Sequence, residues 1–135
     1  MLVIGLVGGM TKTRDSVAQQ IISQDKKNIG AFSPYGDDRC FARAKELREI
    51  VKIRLGESKG KALIIPHVLT LAEADYIREI GGYVWHMQGH KSCVVPIVRG
   101  DILVTHKVGG SAQYLDPREA FHQVATSHSP RTDVA

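Results

Sequence analysis

The residues best suited to chemistry follow the apolar segment that opens the chain, Leu2–Val7. Phosphate-binding loops have the pattern G-x-x-x-x-G-K-[ST], in which backbone N–H groups surround a phosphate and a lysine reaches the outer phosphates. With Gly8 as the first glycine, this chain has Thr13, Arg14 and Asp15 in place of the Gly, Lys and Ser/Thr. The segment predicts a phosphate-binding loop with altered key residues, made of Gly8, Gly9, Met10, Thr11, Lys12, Thr13, Arg14, Asp15 and Ser16.

Within this loop we assign the catalytic cation to Arg14, whose planar fork differs from the compact charge of lysine. Thr13 is expected to be strained if its φ is positive, as the glycine it replaces allows. Ser16 is the candidate magnesium ligand if the loop slips by one residue. Another register uses Lys12 and Thr13 as the Lys-Ser/Thr pair but loses both glycines. A plain strand–turn–helix without a ligand is the structural alternative.

Three further residues are candidates for substrate binding: Arg39, Arg43 and His67. The two arginines begin a basic segment and are spaced i,i+4, so they would share one helix face. The alternative is a solvated face whose charge is balanced by Glu46 and Glu49. His67 follows a predicted strand, at the end of the strand where α/β sheets bind ligands. A turn histidine after a proline is its alternative.

A candidate metal site is the sequence His86-x-x-x-His90-x-x-Cys93, which carries ligand types that zinc accepts. Gly89 interrupts any common helix face, and a fourth ligand is not evident. A strand end followed by a polar turn is the favoured interpretation. Trp85 is predicted to lie in the core.

These residues must be positioned by alternating strands and helices, which predict a parallel α/β sheet. Thr70 and Glu73 form a capping box that opens one helix. The predicted strands are Leu2–Val7, Ala62–Ile65, Tyr83–Met87, 94–98 and 102–105; helices are predicted at 15–23, 37–55, from residue 70 to 80 and after Pro117, and 26–36 is predicted as loop. We expect a three-layer domain with about four or five parallel strands, with the uniformly apolar first strand in the centre. The domain is expected to span 1–126, followed by a polar tail at 127–135.

Composition limits the function classes. The chain has 135 residues, 43% of them hydrophobic, and a net charge of +4 with a pI of about 9.2. This charge permits an anionic ligand but does not by itself predict nucleic-acid binding. No apolar run has the roughly 20 residues of a membrane span. Two cysteines make no disulfide framework, and the apolar first residues lack the basic n-region and small-residue cleavage site of a signal peptide. Both observations predict a cytoplasmic protein.

The chain resembles the deoxynucleoside monophosphate kinases of bacteriophages, a branch of the P-loop nucleotide kinases. Segment 13–18, Thr-Arg-Asp-Ser-Val-Ala, matches the end of the family's loop, which usually reads Gly-Lys-Asp-Thr. The segment 41–56 resembles the family's Phe-Ala-Asp-x-Leu-Lys helix, and 63–82 resembles its long block ending Ile-x-x-x-Gly-Gly. Residues 101–104 match a late strand. The resemblance thus extends over most of the chain.

The resemblance implies transfer of the ATP γ-phosphoryl group to a deoxynucleoside monophosphate, with Mg²⁺ as cofactor and a cytoplasmic location, in the host if a phage encodes the protein. It implies nucleotide partners, no membrane and no nucleic acid, and leaves homo-oligomerisation open. His67 and Leu69 occupy the Asp and Arg positions of the third block, which retains Glu73. The stretch between Gly56 and Ala62 is too short for the family's lid. The alternative is therefore a catalytically impaired descendant that binds a nucleotide or a protein.

Overall fold

The computed structural model describes residues 1–37, 39, 41–57, 61–90, 92 and 94–127. The elements in chain order are β1 (Leu2–Val7), α1 (Thr11–Ile22), β2 (Ile29–Ala31), α2 (Ala42–Glu57), β3 (Ala62–Ile65), α3 (Leu71–Glu79), β4 (Tyr83–Met87), β5 (Ile102–Val104) and α4 (Pro117–Ser127). Most of the predicted tail lies outside the described residues.

Within the described residues, five strands form one all-parallel sheet in the order β2-β3-β1-β4-β5. The prediction that the first strand is central is confirmed. All six residues of β1 are buried, as its uniformly apolar sequence requires of a strand covered on both faces. Burying each large aliphatic side chain contributes about 1.5–3 kcal/mol, so this strand anchors the core.

Helices flank the sheet on both faces. On one face, Ile21 of α1 and Phe121 of α4 pack in a buried cluster with Trp85 of β4, which confirms that tryptophan as a core residue. On the other face, Leu47 of α2 and Ile77 of α3 pack in a second cluster. The fold is α/β, and the positions of its helices agree with the three predicted layers.

Both edge strands of the sheet are short. β5 is only three residues long, and its outer side is covered at Val104 by Leu115, whose N–H donates to Leu103 O and whose carbonyl accepts from Thr105 N, both at 2.9 Å. β2 is the other edge, and it is also three residues long.

Two predicted elements were wrong. Segment 26–36, predicted as loop, contains β2, where Ile29 is buried and pairs with Ala62. Three residues are too short to show a periodic pattern. Segment 94–98, predicted as a strand, is not one, because Pro96 lacks an N–H for a ladder. Only Val95 of its apolar residues is buried.

Two helix boundaries also differ. The first helix begins at Thr11, four residues before its predicted start, and the second at Ala42 rather than at residue 37. Phe41, predicted to lie on the apolar face of the second helix, precedes it and is 98% exposed. Cys40, predicted on the same face, lies outside the described residues. The remaining predicted face is confirmed, since Ala44, Leu47 and Val51 are buried.

Candidate functional site

The strand order creates a crevice between the carboxyl ends of β1 and β3. These two strands are neighbours, but β1 is followed by α1 on one face of the sheet and β3 by α3 on the other. Chains that leave adjacent strand ends in opposite directions open a crevice, and open α/β sheets bind ligands at such switch points. We call it the switch-point crevice, bounded by the 8–10 loop and the N-terminal turn of α1 on one side and His67 on the other.

The loop after β1 is a short, tight connection of Gly8, Gly9 and Met10. Both glycines have positive φ, 75° and 64°, a conformation that other residues adopt at a cost. A Cβ added at Gly9 would lie 2.9 Å from the Cβ of Met87, so the loop also needs glycine for close packing against β4. The Gly9 N–H donates to His90 O at 2.7 Å. The sequence therefore fixes the shape of this loop.

The helix after this loop includes most of the predicted phosphate loop. Thr11, Lys12 and Thr13 form its first turn, and Met10 at the N-cap makes no side-chain capping bond. In the described part of the chain, no acceptor pairs with the N–H groups of these three residues. The first turn contains no acidic residue that would offset the positive end of the helix dipole. These three N–H groups are therefore able to donate hydrogen bonds to an anion.

This geometry corrects two expectations for the segment. The loop that precedes the helix has three residues, too few to surround a phosphate as the longer loop of the motif does. Thr13 has helical backbone geometry, so the expected strain at this position is wrong. Among the described residues, Ala112 alone has a positive φ without being glycine.

Arg14 is folded back against the loop rather than extended toward solvent. Its Nη1 donates to Gly8 O at 2.7 Å and Gly9 O at 3.2 Å, and its Nη2 donates to Thr11 Oγ1 at 3.4 Å. Its Nε donates to Nδ1 of His67 at 3.2 Å. The residue is only 8% exposed. Burial lowers the pKa of the guanidinium, although nearby Asp15 opposes this. In this arrangement each guanidinium nitrogen of Arg14 has a partner within the protein, and the residue holds the loop.

His67 connects Arg14 to Asp15. The Nε2 of His67 lies 2.8 Å from Asp15 Oδ1, and its Nδ1 is the atom that faces Arg14. Burial lowers the pKa of His67, as do the charges of Arg14 and Arg43, while Asp15 raises it, and the net direction is downward. The structure thus brings together two predicted site residues that are 53 positions apart.

Arg43 of α2 forms a buried ion pair close to the carboxyl end of β3. Its Nε donates to Glu73 Oε2 at 3.1 Å, and its Nη2 donates to His67 O at 2.6 Å. The terminal nitrogen Nη1 donates to the carbonyls of Pro34 and Gly36. Arg43 is 2% exposed and Glu73 is completely buried, so this cation positions loops and faces no solvent. Its predicted contact with a substrate would require displacement of these partners.

The predicted N-cap is confirmed, because Glu73 N donates to Thr70 Oγ1 at 3.3 Å, but the Glu73 carboxylate accepts from the Thr70 hydroxyl rather than from the Thr70 N–H of a full capping box. Thr70 Oγ1 also donates to Glu73 Oε2 at 2.6 Å. The other carboxylate oxygen of Glu73 is buried without a partner in the described residues.

The remaining candidates lie outside the hydrogen-bond network of Arg14, Asp15, His67 and Arg43. Arg39 is exposed and pairs with Asp37 at 3.6 Å. Ser16 is exposed on α1, where its Oγ accepts from Gln20 Nε2 at 3.4 Å. Lys12 is exposed in the first turn of the helix. Of the three substrate-binding candidates, the structure joins Arg43 and His67 but not Arg39.

A second polar cluster, not predicted from the sequence, covers β4 near α3. Asp101 accepts from His86 Nε2 at 2.7 Å and from Arg78 at 2.6 and 3.2 Å. It also accepts from Val98 N at 3.1 Å. Burial raises the pKa of Asp101, but the hydrogen bonds from His86, Arg78 and Val98 outweigh it, and the net direction is downward. These bonds fix the 96–101 segment against the sheet.

The zinc interpretation gains nothing from this cluster. His86 is committed to Asp101, and Cys93 lies outside the described residues. Within the described ranges, no group of three or more His, Cys, Asp or Glu residues is arranged to hold a metal ion. The sequence singled out only His86 in this cluster. Arg78 and Asp101 are 23 residues apart, so no local pattern connects them.

No helix in the part of the chain that the structure describes is long and apolar enough to cross a membrane. Comparison with protein-family models, curated proteins and solved structures found no match to the chain.

Proposed function

We propose that this protein binds the phosphate groups of a nucleotide in the switch-point crevice, on a scaffold that resembles a deoxynucleoside monophosphate kinase but transfers phosphoryl groups slowly or not at all. The observation that carries the proposal is the first turn of α1. Its three N–H groups lack protein acceptors in the described residues and adjoin a crevice formed by diverging connections. Amides at a helix N-terminus, aided by the helix dipole, are suited to bind phosphate.

Charge around the crevice supports the same ligand. Lys12 is exposed in the first turn, and Arg14 and His67 lie beside it, while Asp15 is the acidic residue in contact with His67. Two cations, Lys12 and Arg14, stand against one carboxylate here, so the charge beside the crevice favours an anion. The nucleotide part of the proposal comes from the resemblance. Segment 63–82, the most specific block of that resemblance, forms β3, the His67 loop and α3, and His67 bounds the crevice.

Efficient phosphoryl transfer is not supported by the same residues. Such catalysis depends on cations that neutralise charge on the transferred group. Arg14, the predicted catalytic cation, is committed to the loop carbonyls and to His67. The oxygen atoms that could be ligands also do not fit a magnesium site, since Ser16 Oγ accepts from Gln20 and the Asp15 carboxylate pairs with His67. We therefore favour the catalytically impaired alternative, which binds nucleotides of the cytoplasm.

Isothermal titration with ATP, dATP and the four deoxynucleoside monophosphates, with and without Mg²⁺, tests the proposal. We expect heat from the nucleotides and none from the corresponding deoxynucleosides, which lack the phosphate. Absence of heat from every nucleotide would overturn the proposal. A coupled assay for ADP release tests the second half, and brisk turnover by the wild-type protein would contradict it.

Thr11→Pro, compared with Thr11→Ala, tests the amides directly. Proline at the first helical position removes one N–H and is well tolerated there, and the extended backbone of Met10 suits a following proline. Both variants lose the hydroxyl that accepts from Arg14, so they differ mainly in that amide. We expect Thr11→Pro to bind nucleotide about tenfold more weakly than Thr11→Ala, the size of a lost hydrogen bond to a charged group. Equal affinities would exclude this amide from the site.

A further inference from the structure

The contacts of His67 define its protonation state. Arg14 has no acceptor, so the His67 Nδ1 that it contacts at 3.2 Å must carry a lone pair. The one proton of the neutral ring therefore lies on Nε2, where it is donated to Asp15 Oδ1 at 2.8 Å. The geometry is that of the neutral Nε2–H tautomer, held between a cation and a carboxylate.

A second proton on this ring breaks one of the two contacts and strengthens the other. It would place an N–H and a positive charge on Nδ1, facing the N–H and the charge of Arg14 Nε. The bond to Arg14 is then lost, whereas the bond to Asp15 becomes an ion pair. Arg43 also contributes positive charge near His67, through its bond to the His67 carbonyl, and Glu73 on α3 pairs with Arg43.

We propose that His67, oriented by Asp15, is a positioning residue that holds Arg14 against the loop only while its ring is neutral, and that protonation frees the guanidinium to bind an anion in the switch-point crevice. The anion half of this inference rests on the proposed function, and the positioning half does not. The other contacts of Arg14 are bonds to neutral oxygens of Gly8, Gly9 and Thr11, which a doubly charged anion can replace with stronger, charge-assisted bonds.

The positioning half is tested by NMR on the protein without ligand. Long-range ¹H–¹⁵N correlation spectra should show His67 as the Nε2–H tautomer at neutral pH. The Arg14 Nε–H resonance should shift with the same midpoint as the His67 ring when the pH is lowered. An Nδ1–H tautomer, or an Arg14 resonance that ignores the titration of His67, would overturn the proposal.

Two substitutions separate the contacts of the ring. In His67→Asn the side-chain oxygen takes the place of Nδ1 and keeps an acceptor for Arg14 that cannot be protonated. In His67→Gln the amide nitrogen takes the place of Nε2 and keeps the bond to Asp15 without an acceptor at Nδ1. We expect the Arg14 resonance to stay in its neutral-pH position in the first variant and in its low-pH position in the second. The control is His122→Gln, an exposed histidine on α4, which should behave as wild type.

Sulfate binding tests the anion half, because sulfate keeps both negative charges over this range whereas phosphate titrates near pH 6. We expect wild-type affinity for sulfate to rise about tenfold between about pH 8 and about pH 5, as a freed guanidinium makes a charge-assisted bond. His67→Asn should lose most of this rise. If the NMR results hold but sulfate binds at no pH, the proposed function fails and the positioning role stands. If sulfate binds with the same pH dependence in His67→Asn, the coupling to Arg14 is wrong.

Discussion

The protein contains two clusters of one arginine, one histidine and one aspartate, connected in different orders. In the switch-point crevice the histidine is central, with Arg14 on one ring nitrogen and Asp15 on the other. In the cluster over β4 the aspartate is central, and both Arg78 and His86 donate to it. The central group decides how each cluster responds to a proton.

A central histidine must stay neutral to accept from arginine, so protonation separates Arg14 from His67. A central aspartate accepts from both neighbours, and a charged His86 would add an ion pair to its existing bond. The aspartates of the two clusters also differ in exposure, since the Asp15 side chain is 56% exposed and that of Asp101 only 3%. The same three residue types therefore make a proton-sensitive contact at the crevice and a structural anchor over β4.

The largest expected effect is on the anchor. Asp101→Asn leaves the buried His86 and the largely buried Arg78 without their carboxylate. We expect the free energy of unfolding to fall by about 2–4 kcal/mol, near the lower part of the range for broken buried pairs because Arg78 is partly exposed. Urea denaturation measures the change.

Asp75→Asn is the matched control, because Asp75 also faces Arg78, at 3.5 Å, but is exposed. Exposed pairs contribute about 0–1 kcal/mol, so this variant should remain near wild type. Equal losses in the two variants would show that the central position of Asp101 has no special importance.

A smaller effect is expected at the crevice from Arg14→Lys. Lysine keeps the charge, but its single nitrogen cannot reach the loop carbonyls, Thr11 and His67 together. We expect a loss of about 1–2 kcal/mol in the free energy of unfolding, since more than one hydrogen bond is removed. Lys12→Ala, at an exposed neighbour, should change it by less than about 0.5 kcal/mol. Stability unchanged in Arg14→Lys would contradict the role of the fork.

The smallest expected effect is a difference in the pH at which each cluster loses its contribution to the free energy of unfolding. The pKa of His67 in the folded protein is below its ordinary value of 6.5, mainly through burial, so the unfolded chain takes up the proton first. Its contribution to stability is present above pH 6.5 and is lost as the pH falls through the folded pKa. The pKa of Asp101 lies below 3.8 although burial raises it, so its contribution is lost only at more acidic pH.

Denaturation midpoints followed across pH check this separation. The stability difference between wild type and His67→Asn should change as the pH falls below 6.5, whereas that between wild type and Asp101→Asn should be constant there and diminish only below pH 3.8. Both differences changing over one common pH range would contradict this separation.

Much of the fold could be predicted from the sequence because its signals are local. A continuous apolar run predicts β1, and the Thr70–Glu73 capping box predicts the start of α3. The candidate site was predicted in outline, since the switch-point crevice lies where Gly8 and His67 follow their strands.

The remainder depends on contacts that no local pattern encodes. The start of α1 was missed because Met10 provides no capping side chain, and the motif template placed a loop over residues that form a helix. The role of Arg14 depends on His67, 53 residues away, and that of Asp101 on the return of the chain beside β4. Spacing in the sequence does not reveal which acceptor a guanidinium will find.

The short edge strands bear on assembly. An exposed strand edge offers unpaired backbone groups to a strand of another molecule, and short or covered edges limit this. Leu115 covers β5, and β2 offers only three residues. Sheet-to-sheet extension between copies of this chain is therefore disfavoured.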